Sequence, residues 1–169
     1  MEGFFGGLGD ALDEQNWHAA LVMALTLPDI CGKADAPGGR SGQRYAAWFD
    51  RHVGSRYKHR IGAGREEVIF LSGNDCYALR CALLHEGSTD TSTHSAREAL
   101  SRFHFCTPGQ FNNGLHCIQI NDALVLMVDE FARDVLDAAR AWWASLTPGA
   151  RQAAADRSIA LHDTDNISI

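Results

Sequence analysis

The segment Asp122–Leu146, DALVLMVDEFARDVLDAARAWWASL, holds the longest run of regularly spaced apolar residues in the chain. Its large side chains recur in steps of four and three residues, which is the spacing of one helix face. They are Leu124, Val128, Phe131, Val135, Ala138 and Trp142. A helix over 122–146 with such a face is typical of a helical bundle. Thr147 and Pro148 predict its end and the start of one further short helix through Asp156.

The same periodicity predicts three more principal helices, over about residues 10–31, 41–54 and 72–86. In the first of them, Pro28 lacks the amide that a straight helix needs, so we expect a kink or a break there and an end near Gly32. Together with 122–146, these segments predict a mainly α fold, a bundle of four principal helices. The sequence contains no internal repeat, and a single domain over 1–169 is expected.

The second and third of these helices carry clear boundary signals. Ser41 is expected to be the N-cap of the second, and Gly54 to end it. Ser72 is expected to cap the third helix, with Asp75 three residues further on, and Gly87 suits the left-handed position that ends it. The core-facing stripe of the second helix consists of Tyr45, Trp48, Phe49, His52 and Val53.

A different pattern separates the third helix from the fourth. Residues 87–95 are rich in serine and threonine and predict a loop. Two short apolar stretches, around Phe103 and Phe105 and around Ile118–Ile120, predict strands on either side of a turn at 108–114. We therefore expect a small β-hairpin at about 102–120, inserted between the third and fourth helices.

Composition bounds the class of protein. The chain of 169 residues is 46% hydrophobic and 21% charged, which is typical of a globular domain large enough to bury its own core. The formal net charge of −6 means that any contact with phosphates must be local. The five cysteines form no CxxC pair, which favours reduced thiols and a cytoplasmic location. We expect neither a signal peptide nor a membrane span, because no apolar stretch is long enough.

Arg80 is the most informative single residue. It lies within the helix predicted over 72–86, on a stripe with Cys76, Leu79 and Leu83. A guanidinium on such a stripe needs an anionic partner. The partner is either a carboxylate of the same chain, such as Asp29 or Asp75, a group from a second subunit, or a phosphate ligand.

The segment Leu79–Gly87, LRCALLHEG, resembles the Arg-x(4–6)-His signature of the HEPN superfamily. Members of that family are four- or five-helix bundles that usually dimerise, and many are metal-independent endoribonucleases of toxin–antitoxin and phage-defence systems. The resemblance implies that Arg80 holds the scissile phosphate and that His85 exchanges a proton during cleavage. It also implies a homodimer, an RNA substrate, a possible cognate protein partner, and no cofactor.

Asp75, Tyr77 and Glu86 are predicted to be neighbours of this reactive pair in the site. On an ideal helix, residues five apart point about 140° away from each other. Arg80 and His85 therefore converge only if Arg80 curls along the helix or if the site forms across a dimer. The alternative is a non-catalytic helical protein-interaction module, in which Arg80 is structural and His85 is a cation suited to a helix C-terminus.

A local basic stretch, Arg51–Arg65, offers a candidate RNA contact. It is predicted to be a glycine-punctuated loop, in which cations contact phosphates and Tyr57 stacks on a base. The alternative is a solvated loop with no ligand. The RNA-binding candidates are Arg51, Arg56, Tyr57, Lys58 and Arg60.

Two further groups of residues, one of histidines and cysteines and one of tryptophans, bear on a metal site and on an interface. The spacing of His104, Cys106, His116 and Cys117 matches no known zinc motif, so no metal site is expected. The adjacent residues Trp142 and Trp143 cannot both face one core. One of them is therefore expected to contact another element or a second subunit.

Overall fold

The chain folds into six helices and two small sheets in the computed structural model, which describes residues 1–95, 97–109 and 115–159. The helices are α1 (Glu2–Asp13), α2 (Trp17–Asp35), α3 (Ser41–His52), α4 (Gly73–Glu86), α5 (Val128–Ser145) and α6 (Pro148–Ala155). The strands are β1 (Lys58–Ile61), β2 (Glu66–Ile69), β3 (Arg102–Cys106), β4 (Ile118–Ile120) and β5 (Ala123–Met127). A short 3₁₀ helix, Gly54–Tyr57, joins α3 to β1. The expectation of a mainly helical fold is confirmed.

Helix α2 lies at the centre of the molecule. It packs against α1, α3, α4 and α5, and α5 also contacts α1. Large side chains from these helices are buried together in one core, and they include Leu25, Trp48, Phe49, Leu79 and Phe131. None of the helices in the described part of the chain is long and apolar enough to cross a bilayer.

The N-terminal boundary predicted from the sequence is wrong. The segment before residue 10 is helical, and the helix predicted over 10–31 is divided between α1 and α2. The break falls at Gln15, whose φ of 56° is left-handed and ends α1. Asn16 then caps α2, since its side chain accepts a hydrogen bond from the Ala19 amide at 3.3 Å.

Neither Pro28 nor Gly32 ends α2, which continues to Asp35. Proline removes a single backbone hydrogen bond from the helix, and packing against four neighbouring helices stabilises α2 despite that loss. Gly32 serves a different purpose from the one predicted. A Cβ atom at Gly32 would lie 2.8 Å from the carbonyl oxygen of Arg44, so glycine allows α2 and α3 to approach closely.

Helices α3 and α4 are found where they were predicted. The N-cap of α3 is Arg40 rather than Ser41, whose hydroxyl lies 3.3 Å from that of Tyr77 instead. Helix α4 begins as expected, because Ser72 accepts a hydrogen bond from the Asp75 amide at 3.1 Å. Its C-cap, Gly87, has the left-handed φ of 64°. The short sixth helix is likewise capped by Thr147.

The segment predicted as one helix over 122–146 forms a strand followed by a helix. Residues Ala123–Met127 are β5, and α5 begins at Val128. Leu124 and Leu126 are fully buried within the sheet, so the apolar run at the start of the segment satisfies a strand as well as a helix. Pairing with two neighbouring strands decides between them.

The pairing expected at 102–120 is also wrong. The three-stranded sheet has the order β3-β5-β4, so β5 separates the two strands that were predicted to form a hairpin. Strand β5 runs parallel to β3 and antiparallel to β4. The hairpin is β4–β5, which turns through Asn121 with a φ of 57°. Residues 110–114 of the predicted turn lie outside the described residues.

A second hairpin replaces the loop predicted for the basic stretch. Strands β1 and β2 pair antiparallel, from Lys58 opposite Ile69 to Ile61 opposite Glu66. Gly62 and Arg65, with φ of 75° and 51°, form the turn between them.

Candidate functional site

The two residues of the signature meet within one chain. Arg80 Nη1 lies 3.4 Å from His85 Nε2, close to the C-terminal end of α4. The guanidinium therefore curls along the helix, which is one of the two routes to convergence that the sequence allowed. A guanidinium can only donate, so Nε2 is the acceptor in any hydrogen bond between the two groups. His85 itself is exposed.

Asp29 of α2 is the anionic partner of Arg80. Its Oδ2 lies 2.7 Å from Arg80 Nε, and both atoms are shielded from solvent. Burial raises the pKa of Asp29, although the positive charges of Arg80 and Arg44 oppose that rise. Burial lowers the pKa of Arg80, but the influence of Asp29 and Cys81 is larger, so the pKa is raised overall. The guanidinium is thus charged and held between α2 and α4.

Asp75, expected next to the reactive pair, serves the fold instead. It is only 3% exposed, and its Oδ1 accepts hydrogen bonds from the amides of Glu98, Ala99 and Leu100 at 2.8, 3.1 and 3.2 Å. The Ser72 hydroxyl donates to its other oxygen at 3.1 Å. Asp75 therefore ties the loop before β3 to the first turn of α4.

Tyr77 and Glu86 differ in their surroundings. Tyr77 is partly buried and connects α4 to α3, because its ring centroid lies 5.4 Å from that of Tyr45 and its hydroxyl contacts Ser41. Glu86 is exposed as the last residue of α4, next to His85 in the chain. Of the three predicted neighbours, Glu86 is the one adjacent to the reactive pair at the helix end.

Arg44 of α3 is a neighbour of the site that the sequence did not reveal. Its charge acts on Asp29, together with that of Arg80. Nothing local marks Arg44, since it lies beside the apolar stripe of α3 and its relation to Asp29 exists only once α2 and α3 have packed. Asp29 was one of the two carboxylates named as candidates for Arg80.

The basic stretch is largely committed to internal contacts. Arg51 pairs with Asp35 at 2.9 Å, and Arg56 pairs with Asp134 at 3.1 Å. Tyr57 is fully buried and donates a hydrogen bond from its hydroxyl to Asp134, so the expectation that it stacks on a base is wrong.

Two predicted RNA contacts remain on the hairpin. Lys58 is half-buried on β1, and Arg60 is exposed opposite Glu67 of β2. The hairpin therefore presents a mixed charge pattern rather than a continuous basic surface. Its tip adds Arg65, which is exposed.

The histidines and cysteines near the sheet form no metal-binding group among residues 1–95, 97–109 and 115–159. His104 is exposed on β3, whereas His116 Nδ1 accepts a hydrogen bond from the Met127 amide at 3.2 Å. Burial, with a smaller contribution from Asp134, raises the pKa of the Cys117 thiol to about 11. A thiol with that pKa is a poor nucleophile at neutral pH.

The adjacent tryptophans are both used inside the chain. The ring of Trp142 lies 6.1 Å from that of Trp48, and its indole nitrogen donates to Asp35 at 3.2 Å. Trp143 packs edge-on against Phe5 of α1, with ring centroids 6.4 Å apart. The second tryptophan, Trp143, therefore contacts another element of the same chain.

Comparisons of this chain with protein-family models, with curated proteins and with solved structures found no match.

Proposed function

We propose that this protein is an HEPN-like, metal-independent endoribonuclease of a toxin or phage-defence system, with Arg80 and His85 as its catalytic residues. The observation that carries the proposal is the 3.4 Å approach of Arg80 Nη1 to His85 Nε2 at an exposed helix end. A charged guanidinium beside an imidazole combines a phosphate-binding group with a group that can exchange a proton. The proposal includes a cytoplasmic homodimer, in which two such helix ends face one RNA strand.

The reaction is an attack within the RNA backbone. Arg80 Nη1 moves from His85 Nε2 to the phosphate, which frees the lone pair of Nε2. The ribose 2′-oxygen forms a bond to phosphorus while His85 Nε2 accepts the 2′-hydroxyl proton, and the bond from phosphorus to the 5′-oxygen breaks. The departing oxygen takes a proton from water or from the imidazolium, which leaves a 2′,3′-cyclic phosphate and a 5′-hydroxyl end. Arg80 donates two hydrogen bonds to the phosphate oxygens as negative charge develops on them.

Asp29 is a positioning residue in this scheme. Its contact with Nε leaves Nη1 and Nη2 of Arg80 for the phosphate once Nη1 has left His85, since the 2.7 Å contact engages a different nitrogen of the guanidinium. Asp29→Asn is expected to lower the cleavage rate between about ten- and a hundredfold through misplacement of Arg80. Asp29→Glu should recover part of that rate.

The test is cleavage of mixed RNA in EDTA by the wild type, Arg80→Ala and His85→Ala. Matched controls are Arg133→Ala and His18→Ala, which remove an exposed arginine and an exposed histidine on other helices. We expect cyclic-phosphate products from the wild type and both controls, and none from the two site variants, provided all have wild-type circular dichroism. Full activity in folded His85→Ala would overturn the proposal.

A second candidate function rests on a different observation, the ion pair between Arg80 and Asp29. In a non-catalytic interaction module that binds a cognate protein, this pair simply joins α2 to α4. Such a module should cleave no RNA, and Arg80→Ala should change only stability or association. Light scattering of the same variants distinguishes the two candidates, because a change of mass in Arg80→Ala, without any wild-type cleavage, supports the module.

A further inference from the structure

A cavity of about 400 Å³ opens beside Asp29, lined by residues of α1, α2, α3 and α6 and by the residues that follow α6. Among the described residues, three cations line it, Lys33, Arg44 and Arg157, against one carboxylate, that of Asp29. In a chain with a net charge of −6, this is a local excess of positive charge. The rest of the wall is mostly apolar and includes Phe4.

A second cavity, of about 540 Å³, shares two lining residues with the first. Phe4 and Ile159 line both, and Met23 lines only the second. Within the described part of the chain, every side chain that lines the second cavity is apolar. Methionine is flexible and adapts to irregular apolar ligands, which suits such a wall to a chain rather than to a rigid ring. A cationic cavity and an apolar one therefore adjoin at Phe4 and Ile159.

We propose that the two cavities together bind an amphiphilic anion, with a carboxylate or phosphate head between Lys33, Arg44 and Arg157 and a flexible alkyl chain along Phe4, Met23 and Ile159. Ligand sites of this kind are concave, mostly apolar and contain a few polar groups that fix orientation. Each cavity falls within the usual size range of such sites, and the cationic side chains Lys33, Arg44 and Arg157 all line the first cavity.

The cations retain donors for an anionic head. Arg44 uses Nη1 for the carbonyl oxygens of Gly38 and Gly39, while its buried Nε has no hydrogen-bond partner among the described residues. Arg44 Nη2 makes no hydrogen bond to a described residue, so it can donate to an anionic oxygen in the cavity. Lys33 donates to the Pro37 carbonyl at 2.7 Å, and an ammonium carries two further donors.

Asp29 belongs both to this site and to the contact with Arg80. Its negative charge determines whether its substitution strengthens or weakens anion binding. Its carboxylate lines the cationic cavity and opposes an anion there, while its Oδ2 contacts Arg80. Removal of its charge in Asp29→Asn should therefore strengthen anion binding, whereas loss of a lining cation should weaken it. Neither effect depends on RNA cleavage, so this proposal stands or fails independently of the nuclease proposal.

The experiment is a calorimetric titration of the full chain with octanoate, octyl phosphate, acetate and 1-octanol. We expect octanoate or octyl phosphate to bind roughly a hundredfold or more tightly than acetate, because burial of each additional methylene group favours binding. The neutral 1-octanol should bind about tenfold more weakly than the better anion. The tighter of the two long-chain anions identifies the head group. Equal binding of the anions and 1-octanol, or no binding of either anion, would overturn the proposal.

Matched substitutions locate the binding. Lys33→Gln and Arg157→Gln should each weaken the long-chain anion roughly two- to fivefold, and Asp29→Asn should strengthen it by a similar factor. Ile159→Asp, at a residue that is 73% exposed, should weaken it more than tenfold without unfolding the chain. Arg65→Gln and Ile69→Asp, at exposed positions of the β1–β2 hairpin, are the controls and should change nothing. Equal weakening by the cavity variants and the controls would contradict the assigned site.

Discussion

At the scale of single residues, Asp75 shows how a charged group contributes to stability when its partners are backbone amides. Three consecutive amides converge on its carboxylate, and a helix N-terminus lies beneath it. An ionised acceptor in such a position forms strong hydrogen bonds, and the helix dipole favours its negative charge. The carboxylate therefore holds the loop at 98–100 and the start of α4 in one arrangement.

Asp75→Asn should lower the free energy of unfolding by about 2–3 kcal/mol, since the amide turns a donor toward part of this cluster and removes the charge. Urea denaturation measures the change. Glu98→Gln is the control, because Glu98 accepts an exposed hydrogen bond from Asn74 and its neutral form can keep that bond. A variant Asp75→Asn as stable as the control would show that the three amides are adequately solvated without the charge.

The ion pair between Arg80 and Asp29 leads to a second prediction at this scale. Arg80→Met alone leaves Asp29 unpaired in a site that is mostly shielded, and should destabilise the chain by about 1–3 kcal/mol. The double variant with Asp29→Asn should be less destabilised than the sum of the two single variants, because no charge is then left without its partner. Denaturant unfolding of the four proteins measures this coupling. Strict additivity would mean that the two charges are independently solvated.

The candidate site was predictable from the sequence to the extent that its parts are local. Arg80 and His85 stand on one helix, and the apolar surroundings of Arg80 demanded an anion, so Asp29 could be named as one of two partners. The sequence alone could not decide between Asp29 and Asp75 as the partner of Arg80, because the answer depends on contacts between residues distant in the chain. Asp75 is satisfied by amides that lie more than twenty residues away, and only the packing of α2 on α4 brings Asp29 to Arg80. For the same reason, the influence of Arg44 had no signal in the sequence.

At the scale of elements, helical periodicity predicted a helix correctly where capping residues mark its ends. It failed where strand pairing determines the structure. Ser72 and Gly87 mark the two ends of α4 as predicted, since both act on backbone groups close to them in the chain. The residues of β5 fit a helical pattern equally well, and their strand conformation depends on β3 and β4 on either side. Helix α1 was missed because its glycines weaken the helical signal, whereas burial of Phe5 and Leu8 stabilises it in the fold.

A single substitution can test the close contact between α4 and α3. A Cβ atom at Gly73, the first residue of α4, would lie 2.7 Å from the Cα atom of Ala46, where only backbone is available to move. Gly73→Ala should therefore destabilise the chain by about 1–3 kcal/mol through forced separation of the helices.

Gly149→Ala provides the matched control for that contact. Gly149 also lies in the first turn of a helix, and a Cβ atom there would meet nothing within 4 Å. This substitution should be neutral or slightly stabilising, because alanine favours helix. Thermal unfolding of the two variants makes the comparison, and equal midpoints would mean that α3 and α4 separate without penalty.

At the scale of the whole molecule, the core contains acids that titrate only at high pH. Burial raises the pKa of the Cys76 thiol to about 12, and it likewise raises the pKa of Tyr45 well above its usual value. The Tyr45 hydroxyl and Cys76 Sγ lie 3.3 Å apart between α3 and α4. In the unfolded chain both groups would ionise near their ordinary pKa, which for a thiol is about 8.5.

The sign of the resulting pH dependence follows from which state binds more protons. Between about pH 8.5 and the raised pKa of Cys76, the unfolded chain has lost the thiol proton while the folded chain retains it. Ionisation therefore stabilises the unfolded state, and folding stability should fall as pH rises through this interval. The slope for one such thiol approaches about 1.4 kcal/mol per pH unit. Below pH 8 the thiol is protonated in both states and contributes no slope.

Cys76→Ala should make this alkaline decline shallower, although the lost packing lowers stability at every pH. The measurement is the free energy of urea unfolding at intervals from pH 7 to pH 10.5, under reducing conditions. Leu25→Ala is the control, because it also truncates a fully buried side chain but removes no titrating group, so its curve should run parallel to that of the wild type. A Cys76→Ala curve equally parallel to the wild type would mean that the thiol reaches solvent before the fold opens. The alkaline sensitivity of the molecule would then arise elsewhere, with Tyr45 as the next residue to substitute.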